Sequence, residues 1–217
     1  MADSVAPPTA SYPVRLSVDY PDQPRNRLTV LLRLFTVIPI AIVLWALVGS
    51  PVWAVEPTRG GVRYLGATGS GLFIAVALMV LFRQKYPRWW FDWSVQLTKF
   101  GGRVGAYFAL LRDEYPSTDE EQAVHIEITY PDAKKDLNRW LPLVKWFLAI
   151  PHYFVLLFLF LAVIVTTIIA WFAILFTGKY PEGLFNFAVG VWRWGLRVSG
   201  YMGLLVTDRY PPFSMDP

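Results

Sequence analysis

"LPLVKWFLAIPHYFVLLFLFLAVIVTTIIAWFAILFT", residues 141–177, carries one charged side chain, Lys145, in 37 residues. One straight α-helix over that run would measure about 55 Å, against about 30 Å for the hydrocarbon core of a bilayer. Two arrangements fit. Either the block is a tight helical hairpin turning near 158–163, or it begins along the interface, kinks at Pro151 and then crosses once. The block holds no Gly or Asn to make a turn. The rest of the chain nevertheless favours the hairpin, because the corresponding apolar runs in the first half, about 28–48 and 66–84, are separated by a loop.

That correspondence is extensive. The block ends in "FTGKYPEGLFNF" (176–187), and 94 residues earlier another apolar run ends in "FRQKYPRWWFDW" (82–93). Tyr20-Pro21-Asp22 matches Tyr130-Pro131-Asp132, and "RLFTVIP" (33–39) matches "KWFLAIP" (145–151). Arg103 and Tyr107 match Arg197 and Tyr201, and Asp113 with Tyr115-Pro116 matches Asp208 with Tyr210-Pro211. The expected organisation is a tandem repeat, 12–118 and 122–213, after a disordered lead over 1–11. The lead has no charged start followed by an apolar core, so it does not read as a signal peptide. The extra residues of the first half fall in "GSPVWAVEPTRGGVRYLGATGSG" (49–71), whose Gly and Pro content marks a loop.

Composition agrees with a membrane setting. The chain is 55% hydrophobic and only 17% charged, and ten of its 217 residues are Trp, a residue suited to the lipid–water boundary. Each half opens with period-two alternation, Val14, Leu16, Val18 and then Val124, Ile126, Ile128, which reads as two half-buried strands able to pair. Each closes with a helical segment, 88–111 and 183–206, expected to be amphipathic and to lie in the interface. Asp92, Gln96, Lys99 and Arg103 form a polar stripe on the first, and Asn186, Gly190, Arg193 and Arg197 on the second. The fold class expected is mainly α and integral to the membrane: a tandem repeat of two transmembrane helices plus one interfacial amphipathic helix, with short cytoplasmic β-strands. With two spans per half, eighteen of the twenty Lys and Arg fall on one side. The positive-inside rule then predicts a multi-pass cell-membrane protein with cytoplasmic termini and with the loop 49–66 outside.

The segments "LVKWFLAIPHYFVLLFLF", "IAWFAILFTGKYPEGLFNFAVGVWRWGLRVSGY" and "LLVTDRYPPF" resemble bacterial, notably actinobacterial, membrane proteins of domain-of-unknown-function family 4389. The first half, with "LFRQKYPRWWFDW", looks like a diverged second copy. The resemblance covers nearly the whole chain beyond residue 11. It implies an integral membrane protein and brings no activity with it.

Catalytic signals are sparse. There is no Cys, and the two histidines, His125 and His152, have no metal-ligand partner at helical or turn spacing. His152 reads as an interfacial histidine. "GATGSG" (66–71) lacks the Lys-Ser/Thr of a phosphate loop, and the acidic run 113–122 reads as a solvated linker. Thr166 and Thr167 are the most polar residues inside the last apolar block, and each reads as satisfied by its own backbone or packed between helices. No catalytic residue, metal or cofactor is expected, and no nucleic-acid partner. The function expected is non-catalytic: a scaffold, accessory subunit or lipid-interface organiser at the cytoplasmic leaflet, with a small transporter or channel, as a homo-oligomer, the alternative. Expected partners are the bilayer, with its anionic lipids, and a membrane protein or further copies of the chain. Lys99, Arg103, Arg193 and Arg197, paired one turn apart, are the candidate residues for lipid headgroups.

Overall fold

The computed structural model describes residues 12–21, 23–48, 52–55, 62–65 and 68–217. The expected disordered lead lies outside them, as do 49–51, 56–61 and 66–67 of the Gly/Pro-rich stretch.

The predicted strands form and pair. β1 (Val14–Val18) and β4 (Val124–Ile128) run antiparallel with Leu16 opposite Ile126. Val14, Leu16, Val18, Val124 and Ile126 point inward, while Arg15, Ser17, His125 and Glu127 face out. On the outer side His125 Nε2 meets Asp19 Oδ2 at 3.1 Å. The inner face rests on two helices, α3 (Arg88–Phe108) and α6 (Glu182–Met202). Close approach there depends on Gly102 and Gly200. A Cβ would fall 2.6 Å from Ile126 Cδ1 at Gly102 and 2.6 Å from Val14 Cγ2 at Gly200.

α3 and α6 stop earlier than the periodicity suggests, because the chain turns left-handed just beyond them. Leu110 has φ 62° and Leu205 φ 56°. Leu111 N–H then donates to Ala106 O at 2.9 Å, and Val206 N–H to Gly200 O at 3.0 Å, satisfying carbonyls at the helix ends.

The apolar block is not a hairpin. α4 (Pro142–Leu148) stops at Ala149, and α5 (Ile150–Thr177) then runs on for 28 residues without a break. Nothing from 152 to 177 has the backbone freedom to reverse the chain, and the first such residue, Gly178 at φ 75°, is where the helix ends. The single-rod alternative fits better, with the break at Ala149 and Pro151 in the first turn of α5. The first half differs. α1 (Arg27–Val48), capped by Asn26 Oδ1 accepting from Leu28 N–H at 3.0 Å, carries Pro39 within one continuous helix. The predicted loop contains a hairpin, β2 (Val52–Val55) with β3 (Val62–Leu65), before α2 (Thr68–Arg83).

The elements stack in three layers: the β1–β4 sheet, then α3 and α6, then α1 and α5. α1 runs against α3 through Val37, Ile40, Phe100, Val104 and Tyr107. α5 buries a single stripe, His152, Leu156, Val163, Ala170 and Ile174. The rest of its surface is largely exposed Phe, Leu, Ile and Val. By length and composition α1 and α5 are each able to cross a membrane.

Candidate functional site

The charged residues flanking the apolar layer are tied down from both sides of the molecule. The Arg33 guanidinium donates to Tyr107 O at 2.9 Å and Arg112 O at 2.7 Å, and it pairs with the Asp113 carboxylate. It lies 4.2 Å above the Tyr107 ring. The Lys145 ammonium donates to Thr207 O at 2.7 Å, pairs with Asp208 Oδ1 at 2.7 Å and lies 4.9 Å above the Tyr201 ring. Arg25 adds a second cation to Asp113 at 2.7 Å. Burial pulls the pKa of Arg25 and of Lys145 down, and the neighbouring carboxylates oppose it. The Arg33 node lies at the C-terminal end of α3, where carbonyls carry partial negative charge, and the Lys145 node lies just beyond the end of α6. That is a structural use of charge.

The aromatic contacts, unlike these ion pairs, cross between the halves. Tyr20 donates to Tyr180 O and packs edge-on to Phe185 at 5.0 Å. Tyr130 donates to Tyr86 O and packs edge-on to Phe91 at 5.0 Å. Burial raises the pKa of Tyr86 and of Tyr180, so both hydroxyls stay neutral.

The four candidate headgroup residues do not form two exposed pairs. Arg103 is buried and donates to Ser117 O at 2.9 Å. Arg197 is buried and donates to Ser214 O and Asp216 O. Arg193, half-buried, reaches Leu16 O at 3.0 Å and Met215 O at 2.8 Å, so it joins β1 to the C-terminal tail. Lys99 is half-buried and makes no hydrogen bond or ion pair among the described residues. The stripe on α6 therefore faces the tail, and Gly190 lies against Met215.

His152 is fully buried, unlike the interfacial histidine expected. Its Nδ1 accepts from Trp194 Nε1–H at 3.1 Å, and Phe213 stacks over the ring at 4.0 Å. Its Nε2 has no partner among the described residues. Thr166 donates to Val163 O at 3.0 Å, so its hydroxyl is satisfied by its own helix as expected.

Two of the spaces the described residues leave open are apolar. A groove of about 510 Å³ lies between α1 and α5, with Phe108, Ala109, Leu110 and Trp192 beneath it and Ile164, Thr167, Ile168 and Trp171 along one wall. Phe160 and Trp192 separate it from a second groove of about 560 Å³ between α3 and α6, which reaches the inner face of the sheet at Leu16 and Ile126. Gly105 makes room for that divider, since a Cβ there would meet Trp192 at 2.4 Å. Leu34, Ile164 and Ile168 are more than half exposed, so the first groove opens on the outer apolar surface. Sequence periodicity could not reveal this space, because it belongs to four helices from both halves.

The model of a domain of unknown function, DUF4389, matches residues 140–215, one copy in the second half of the chain. No curated protein matches the chain, and no solved structure matches it.

Proposed function

We propose that the protein is a non-catalytic membrane protein that organises lipid at the cytoplasmic leaflet, taking aliphatic chains into the groove between α1 and α5. The groove carries this reading. It is lined almost wholly by hydrocarbon, opens among exposed apolar side chains and offers few polar partners for ordered water. In a bilayer, lipid tails are the available filler. The outward faces of α1 and α5 supply the anchoring surface, and Trp140 and Trp146 are exposed near the start of α5, where an interfacial ring belongs.

The matched contacts support descent of the two halves from one duplicated unit. In that unit a cation near the start of the apolar run meets an acidic residue beyond the third helix, as Arg33 meets Asp113 and Lys145 meets Asp208.

Lipid carried through purification tests the proposal. Ile164→Trp places bulk in the groove, while Ile169→Trp places it on an exposed face outside the groove lining. Phospholipid per protein, measured after detergent exchange, is expected to fall at least twofold for Ile164→Trp alone. Equal retention by the wild type and both variants would remove the groove as the site.

A further inference from the structure

We infer that α1 and α5 lie within one leaflet, close to parallel with the bilayer plane, instead of crossing it; this rests on the membrane reading proposed above. The first ground is the sheet. β1 follows α6 along its length: Val14 lies against Gly200, Leu16 O takes the Arg193 guanidinium, and Tyr20 packs on Phe185. α6 in turn packs on α5: Trp194 meets His152, Gly195 meets Phe160, and Phe185, Ala188 and Val191 share one buried cluster with Val163, Ala170 and Ile174. Were α5 upright, α6 and the sheet beyond it would stand at bilayer depth as well. The outer face of the sheet would then turn Arg15, Asp19, His125 and Glu127 toward lipid. A two-stranded sheet also has an outer edge on each strand, and open sheet edges do not occur in hydrocarbon. Laid flat, the three layers grade from water to oil: polar sheet face, amphipathic helices, apolar helices.

The second ground is where the helices begin and end. Arg27 donates to Phe176 O and the Trp171 indole donates to Val30 O, so α1 starts beside the end of α5. Arg139 donates to Gln84 Oε1, so the segment leading into α4 lies beside the end of α2. An upright α5 would put Arg25, Arg27 and Lys179 on one side of the membrane and Arg83, Lys85 and Arg139 on the other. That division opposes the usual one-sided bias of basic residues, whereas a flat arrangement keeps all six on one side.

The full-length chain has no Cys, so single cysteines report cleanly. Lys135→Cys, ahead of α4, and Lys179→Cys, past the end of α5, replace exposed residues. An impermeant maleimide is expected to label neither in intact cells and both in inside-out vesicles. Labelling of the two from opposite sides overturns the inference. Nitroxides on Phe154→Cys, Leu161→Cys, Ile168→Cys and Phe176→Cys, all exposed, are expected at similar depth and open to oxygen dissolved in the lipid. A profile shallow at both ends and deepest in the middle means a crossing helix, and exclusion of oxygen means a second copy covers the face. Either result overturns the inference. Release of the protein by alkaline carbonate would instead remove the membrane reading itself, which keeps the two failures apart.

Discussion

At the scale of the residue, the nodes around Arg33 and Lys145 show why similar charges have unequal weight. Lys145 is almost wholly buried, and the Asp208 side chain is 20% exposed. Lys145→Met strips the carboxylate of its cation, and breaking a buried pair typically costs about 3–5 kcal/mol. Thermal denaturation in detergent should show a large drop in Tm for Lys145→Met and substantial recovery for Lys145→Met with Asp208→Asn, which removes both charges. No recovery in the double variant would mean that the ammonium matters through Thr207 O and the Tyr201 ring instead. Arg88 and Asp92, exposed on α3, are expected to contribute no more than about 1 kcal/mol when both become Ala. Both partners of each buried node were visible in the sequence as members of matched motifs. Their pairing was not, because Arg33 and Asp113 are 80 residues apart and nothing local joins them.

Among the elements, the legible ones were those whose period matched a single environment. β1 and β4 alternate cleanly because one face is wet and the other dry. α5 has no such contrast: it is apolar all round, so its pattern cannot show where it bends or whether it turns back. The absence of turn-forming residues was the better guide, and the analogy with the first half was the misleading one. Residues 152–160 of α5 match 40–48 of α1, and 162–177 match α2, so the two first-half helices correspond to one continuous rod interrupted by the β2–β3 hairpin. Joining Val48 directly to Ala67 should therefore restore continuity. The shortened protein is expected to fold, with unchanged helix content by circular dichroism apart from the excised hairpin and a Tm within a few degrees of wild type. Loss of the cooperative transition would show that the hairpin holds α1 and α2 in place.

For the whole molecule, the halves are interlocked instead of adjoining. β1 from the first half packs on α6 of the second, β4 from the second packs on α3 of the first, and the tyrosine contacts cross in the same way. Fragments 1–120 and 121–217 expressed separately are expected to be degraded or trypsin-sensitive, and co-expressed they are expected to regain resistance together. A resistant fragment on its own would mean that each half has a self-sufficient core. The second half's helices and strand were readable separately, but this exchange between halves was not, since it depends on which half each strand packs against.

The crossed sheet also imposes an order on synthesis. Val18 has to wait for Val124, and Val14 for Ile128, before either strand is complete. At about 5–20 residues per second the ribosome needs roughly 5–20 s to cover that distance. Meanwhile α1, α2 and α3 have emerged without α5 and α6 to pack on, and the inward side of β1 has neither its partner strand nor α6 to cover it. Pairings so distant in sequence form slowly even once both members exist. The segment made first is placed late, and until then its apolar face is without its native cover.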